Sequence, residues 1–363
     1  MNASQPRARI LEITSYPPPR AGWGIRVEFL KKALERDGHT CAVLNTGTSR
    51  LIPSPEYETV LGGFDFVRKV WRYSRKGFVV HAHINGEGVK GMLLALIAML
   101  INLACGQRCF VTFHAGLIQR YFPREKSGRL TPLFWLLFTI PRCVICNSAP
   151  VKAKIQEYGV PAGKIVPIGA FSKQYMEYQP AELPAAVTAF YDKYPHVIFT
   201  YVRMRPLFYP LTMVDGLAAL VARRKDVGLI LCGGLSHRDE GIWEAVEQRI
   251  KEHALEERIC LIEDLDHDAF LTALTRSALY LRTPITDGVA SSVLESLALG
   301  VPVVGCENGT RPAGVVTYKV DDAREMAERL EYVMDNRAQV VASLNINVPD
   351  TLAEEAALLV ARP

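Results

Sequence analysis

The sequence predicts two α/β domains, each built on a doubly wound parallel sheet with Rossmann-like connectivity. Three observations carry that prediction. Short apolar runs alternate with segments of helical period along nearly the whole chain, the pattern of strands joined by crossover helices. A chain of 363 residues is long for one hydrophobic core, so two domains are expected. The alternation also breaks once, where QPAELPAAVTAFYDKYP reads as a connection carrying one helix before HVIFTY restarts it. The expected division is 1–180, 181–345 and a final amphipathic helix within 346–363.

In the first domain, ARILEITS (8–15) reads as a strand, IRVEFLKKALERDGH as a helix and CAVLNT as the next strand. That is the opening βαβ unit of a nucleotide-type fold. The loop YPPPRAGWG between them carries Gly22 and Gly24 on either side of Trp23. Glycines let a backbone approach a ligand closely, and a helix start behind them suits an anion. The full G-x-G-x-x-G fingerprint is missing. Residues 46–75 read as a variable loop plus one helix. FVVHAHING, CFVTFHAG, CVICNS and KIVPIGA read as further strands, with helices between them.

The second domain continues with helix LTMVDGLAALVARRKD, strand VGLILCGG, helix DEGIWEAVEQRIKEHAL, strand ICLIED, helix HDAFLTALTRS and strand LYLRTP. Then comes TPITDGVASSVLESLALGVPVV (283–304), a loop, a helix and a buried-looking strand. Ser291 or Ser292 is the expected N-cap, because a hydroxyl there satisfies an orphan N–H. Two acids flank that helix start, Asp287 in the loop and Glu295 inside the helix. Free N–H groups between two carboxylates suit a ligand carrying both phosphates and hydroxyls. A capped helix with a solvated Glu295 is the plain alternative.

The stretch TDGVASSVLESLALGVPVVG, with CENGTRPAGVVTYKVDDAREMAERL downstream, resembles the acid-x7-Glu signature of glycosyltransferase family 4, retaining enzymes of the GT-B fold. The resemblance implies a nucleoside-diphosphate sugar as donor, no further cofactor, no metal and a C-terminal helix that returns to the first domain. It implies that Glu295 holds the ribose hydroxyls and that Asp287, where the family usually has Glu, lies beside the transferred hexose. Gly288, Val289, Ala290 and Ser291 would offer backbone amides to the donor, and Gly233 a close-approach turn. Arg203 matches a family Arg that reaches the diphosphate. The family Lys falls at Phe208, leaving Arg205 as the stand-in cation, since a guanidinium clamps phosphate oxygens. His114 would hydrogen-bond a sugar hydroxyl or position the acceptor. Ala313 stands where members often carry Glu.

Other patterns are read structurally. In EDLDHD, Asp266 or Asp268 is a better N-cap than a magnesium ligand. His81 and His83 share one face of a strand, but no third ligand is evident in the sequence, so zinc is not expected. Eight cysteines show no pairing framework and read as buried thiols.

Charge is divided unevenly. Residues 1–180 hold 24 Lys and Arg against 11 Asp and Glu, and the remainder 18 against 27. A basic first half suits a glycan or lipid-linked anionic acceptor and peripheral contact with the inner membrane face; a solvated basic surface is the plain alternative. The apolar run 91–105 is short of the roughly 20 residues that span a bilayer, and the amino terminus lacks a signal-peptide core. A cytoplasmic protein without a nucleic-acid partner is expected. The leading function is hexosyl transfer to a hydroxyl. The rival is a non-catalytic relative that binds a sugar or a partner, motivated by Phe208, Asp287 and Ala313.

Overall fold

A computed structural model describes residues 7–17, 23–235, 238–344 and 346–361. The chain forms two compact units. In the first, β1 (Arg9–Thr14), α1 (Trp23–Arg36), β2 (Thr40–Asn45), α2 (Gly63–Arg75), β3 (Val79–Ile84), α3 (Val89–Ala104) and β4 (Phe110–Phe113) lead on to α4 (Arg124–Ser127), α5 (Thr131–Thr139), β5 (Cys143–Cys146), α6 (Ala149–Gln156) and β6 (Ile165–Pro167). All six strands are parallel, in the order β2-β1-β3-β4-β5-β6. The order reverses direction between β1 and β3, the switch point where α/β folds open a crevice beyond the strand ends.

Both faces of this sheet are covered. Leu11 and Ile13 of β1 point to the side packed by Phe66, Met99, Phe134 and Val151. Ile10 points to the other side, with Leu30 and Leu34 of α1. Strands buried on both faces should read as continuous apolar runs, so Glu12 and the two histidines of VVHAHI stand out.

The second unit begins after Gln174 rather than at 181. It runs through α7 (Ala185–Lys193), β7 (His196–Tyr201), α8 (Pro210–Arg223), β8 (Val227–Cys232), α9 (Glu240–Glu252), β9 (Ile259–Ile262), α10 (His267–Arg276) and β10 (Leu279–Arg282). It closes with α11 (Ser291–Ala298), β11 (Val303–Cys306), β12 (Val315–Tyr318), α12 (Ala323–Asp335) and α13 (Arg337–Ser343). Its parallel order is β12-β11-β10-β7-β8-β9, which puts the switch point between β7 and β10. Helices α8 and α12 approach closely because Gly216 has no side chain; a Cβ there would lie 2.0 Å from Cε of Met326.

From Pro349 the chain rejoins the first unit. Helix α14 (Leu352–Val360) packs Leu352, Ala356 and Leu359 beside α1. A buried ion pair fixes it. Arg26 Nε donates to Glu355 Oε2 at 2.7 Å, and its other nitrogens donate to the Phe171 carbonyl and to Thr351 Oγ1.

Candidate active site

In the second unit, the loop after β10 is held by its own acid. Asp287 accepts two hydrogen bonds from Arg282, at 2.7 and 2.9 Å, and lies 3.5 Å from Nη1 of Arg311. Arg282 also donates to the Tyr201 carbonyl at the end of β7, tying together the strands on either side of the switch point. Burial alone would push the Asp287 carboxyl up, but the two guanidiniums outweigh it and hold its pKa below the usual value. Asn308 and Thr310 donate to the carbonyls of Asp287 and Gly288, closing the loop from the far side. Both oxygens of the acid expected beside a sugar are therefore engaged by the protein itself.

Helix α11 starts differently from expectation. Its N-cap is Ala290, and Ser291 and Ser292 occupy the first turn. Ser292 Oγ instead accepts from Tyr280 Oη at 2.9 Å, which draws it away from capping. No side chain caps this helix, so the N–H groups of Ser291 and Ser292 keep their donor capacity, while those of Val293 and Leu294 donate to the Ala290 carbonyl. Glu295, one turn on, is 5% exposed. Its carboxylate meets Nε2 of His267, the first residue of α10, at a long 3.4 Å. The sequence reading missed His267; its place directly after the capping residue Asp266 was the available signal.

Beyond β7, Arg203 pairs with Asp264 at 3.1 Å and lies over the Tyr201 ring. Arg205 is exposed. Phe208 ends a short turn, and its carbonyl accepts from Thr283 Oγ1. Gly233 has φ +80°, and a Cβ there would lie 2.6 Å from the Tyr201 ring and 3.0 Å from Asp264. Glycine is therefore required to let those two groups flank Arg203. Of the EDLDHD acids, Asp264 serves Arg203 and Asp266 caps α10 through the Ala269 N–H.

In the first unit, His114 follows β4 and is half-buried, its N–H donating to the Ile84 carbonyl. Its ring stacks on Trp23 at 4.7 Å. Its Nε2 lies 2.8 Å from Nδ1 of His83, whose Nε2 lies 2.7 Å from Glu12. His81 joins Glu12 to Thr112 Oγ1. Registry explains the cluster: Glu12 is level with His81 across the switch point, and His83 with Thr112. Gly24 lies at the start of α1, where a Cβ would meet the Ser15 carbonyl at 3.0 Å. Gly22 lies outside the described residues.

Burial would raise the Glu12 carboxyl, yet the charge and hydrogen bonds of His81 and His83 bring it down to about 2. Burial lowers His81, but Glu12 reverses this and raises it. For His83, burial and the neighbouring His81 win, and its pKa falls. His114 falls well below the ordinary value through burial, with His83, His81 and Arg26 adding to the effect. Glu12 is the third acid-base partner that the H-x-H spacing lacked, and one ligand atom from each of Glu12, His81 and His83 lies within 4.8 Å of the others. All four ring nitrogens of His81 and His83 already have hydrogen-bond partners, so the cluster reads as a hydrogen-bonded chain.

Two parallel Rossmann-like units, one presenting an uncapped helix start beside a buried acid, define a GT-B protein of the glycosyltransferase class. Residues 21–169 match the model for Glycosyltransferase Family 4, and residues 188–347 match that for Glycosyl transferases group 1; the chain belongs to this family. Solved structures agree on the fold. Anabaena HepE in complex with UDP-glucose is 16% identical, with a TM-score of 0.72 over 96% of this chain and 94% of that one. A glycosyltransferase from Rickettsia africae is 16% identical (TM-score 0.69, 98% and 100% covered). Sucrose-phosphate synthase from Thermosynechococcus elongatus is 17% identical (TM-score 0.69, 98% and 94% covered). No curated protein matches the chain.

Proposed function

We propose that the chain is a retaining glycosyltransferase that moves a hexosyl group from a nucleoside-diphosphate sugar to a hydroxyl of a glycan or lipid-linked acceptor, without a metal ion. The observation that carries this reading is Glu295, a buried carboxylate with one long contact beside an uncapped helix start. A carboxylate has about four acceptor positions, and vicinal ribose hydroxyls are the donors that suit them. The N–H groups of Ser291 and Ser292 suit diphosphate oxygens. Arg203 and Arg205 offset the charge that develops as the diphosphate leaves. Gly288, Val289 and Ala290 contribute backbone, and Gly233 keeps the approach open.

Asp287 takes a different part here from the one the resemblance implies, shaping the donor loop through Arg282 and Arg311 rather than touching the sugar. Asp264 and Asp266 are engaged within the protein, which supports a donor site without magnesium. His114, backed by Trp23, accepts from a sugar hydroxyl in the first unit. With no side chain placed as a covalent nucleophile in this reading, transfer proceeds on the front face. UDP-glucose bound to HepE supports the donor class.

The acceptor reading draws on the surface of the first unit. Phe64 and Trp71 of α2, Leu93, Ile97, Leu100 and Leu103 of α3 and Trp135 of α5 are exposed, with Arg68, Arg72 and Arg75 along α2. No helix among the described residues is long and apolar enough to cross a membrane. An apolar face edged by cations suits peripheral contact with an anionic leaflet.

Thermal stabilisation by UDP-, GDP- and ADP-sugars, with Glu295→Ala as control, tests the donor site. A donor at one hundred times its dissociation constant should add about 2.7 kcal/mol. A shift for one nucleotide that disappears in the variant supports the reading, and a transfer assay then separates enzyme from binder. No shift with any donor favours the non-catalytic relative, with Phe208 in place of Lys as the cause.

A further inference from the structure

The buried chain from Glu12 to His114 fixes where protons sit. The Glu12 carboxylate only accepts, so the His83 Nε2 facing it at 2.7 Å carries a hydrogen. Two ring nitrogens 2.8 Å apart, Nδ1 of His83 and Nε2 of His114, share one proton between them. A neutral His83 that donates through Nε2 has a lone pair on Nδ1, so the shared proton belongs to His114 Nε2. A neutral His114 then presents Nδ1 as a lone pair. His81 takes its place on the other side of the same carboxylate, which raises the pKa of its ring. The remaining charged group acting on His114 is Arg26 of α1, which pairs with Glu355 of α14; Glu355 itself acts on His81 and His83.

We propose that Glu12 and His83 are positioning residues that hold His114 as its Nε2–H tautomer, so that Nδ1 accepts a hydrogen bond from a sugar hydroxyl. Trp23, stacked on the ring at 4.7 Å, fixes its plane. The logic is that of a buried acid orienting a functional histidine, lengthened by one imidazole. A histidine in the other tautomer would present N–H and donate to the hydroxyl instead. The direction of that hydrogen bond is therefore set at Glu12, two strands and two rings away from the ligand. The role of Nδ1 rests on the function proposed above; the tautomer does not.

Long-range ¹H–¹⁵N correlation of the imidazoles in the full-length protein, assigned with single His→Gln variants, reads the tautomers directly and needs no ligand. The expected result is Nε2–H for both His83 and His114 at pH 8. Glu12→Gln, near-isosteric and able to turn its NH₂ toward His83, should give His114 a mixed or Nδ1–H population. Wild-type His114 found as Nδ1–H overturns the proposal. So does a stoichiometric metal on the purified protein, because a metal on His83 Nε2 would remove the proton on which the chain depends. UDP-glucose hydrolysis supplies the second readout. Glu12→Gln should lower kcat roughly tenfold to a hundredfold, the order found when the outer partner of a metal-binding histidine is removed, and leave the donor KM within about twofold. A kcat unchanged while the tautomer shifts would overturn the role of Nδ1. If wild-type protein turns over no donor, the function reading fails, and the imidazole spectra still decide the tautomer.

Discussion

Replacing Asp287 by Asn should cost far more stability than replacing Glu295 by Gln, although both acids lie in one signature. Asp287 accepts two hydrogen bonds from Arg282 and stands 3.5 Å from Arg311, and the two arginine side chains are 8% and 3% exposed. Arg311 Nη1 is buried and has no hydrogen bond of its own, so the nearby carboxylate is its main compensation. Removing one partner from a buried ion pair leaves uncompensated charge and costs about 3–5 kcal/mol. Each kcal/mol shifts the melting temperature by about 2–4 °C for a unit of this size, so Asp287→Asn should melt roughly 6–20 °C lower. Glu295 has one contact at 3.4 Å, so Glu295→Gln should lose no more than about 1 kcal/mol. Calorimetry at pH 7 with both variants is the assay. An Asp287→Asn protein melting within about 2 °C of wild type would refute the reasoning. The pH dependence has a definite sign. The folded pKa of Asp287 is depressed, so its contribution is present above the unfolded value of about 3.9 and disappears as pH falls through the folded value.

Three further outcomes are expected. Arg26→Met should destabilise the first unit by about 3–5 kcal/mol through the stranded Glu355, and Arg26→Met with Glu355→Leu should recover much of the loss; urea unfolding of the singles and the double checks this, and a double no better than either single contradicts it. Gly233→Ala forces a left-handed φ on alanine and drives its Cβ into Tyr201, costing about 1–3 kcal/mol and weakening donor affinity; an unchanged melting temperature would be inconsistent with that geometry. Since His83 and His114 titrate below their ordinary value when folded, the unfolded chain binds more protons as pH drops below about 6.5, and stability falls. His81 has the opposite sign, its contribution present below about 6.5 and lost as pH rises through its raised value. Urea midpoints at pH 8 and 5.5 should therefore fall toward acid, with a smaller slope in His114→Gln, and equal slopes would count against the burial argument.

Most of the fold was legible because buried parallel strands and their crossover helices leave long, strongly periodic signals. β12 leaves no such signal in the sequence. It is a four-residue edge strand, paired on one side and half-exposed along most of its length, so its period is weak. The capping serine was misplaced for a different reason: Ser292 is drawn toward Tyr280, a contact between residues 12 apart that no local rule foresees. Asp287 stands out in the sequence as an acid before a helix, but its partners Arg282 and Arg311 lie before and after it, on β10 and beyond β11. Glu12 shows the limit most plainly. On its own strand it is one polar residue, and only the pairing of β1 with β3 brings it level with His81. A signal was available nonetheless, because three titratable side chains interrupt two strands that are otherwise apolar on both faces.

The return of α14 has a consequence for the order of synthesis. The second unit lies wholly between Tyr175 and Val348, so it is an insertion, in chain terms, within the first. A ribosome therefore delivers every residue of the second unit before the first can finish its α1 layer. Until Glu355 emerges, Arg26 waits under that layer without its counter-charge, and the apolar sides of Leu30 and Leu34 lack Leu352, Ala356 and Leu359. A nascent chain that has emerged only as far as residue 349 would hold a finished second unit behind an unfinished first. The amino-terminal half, made first, is the one that chaperones would have to guard longest.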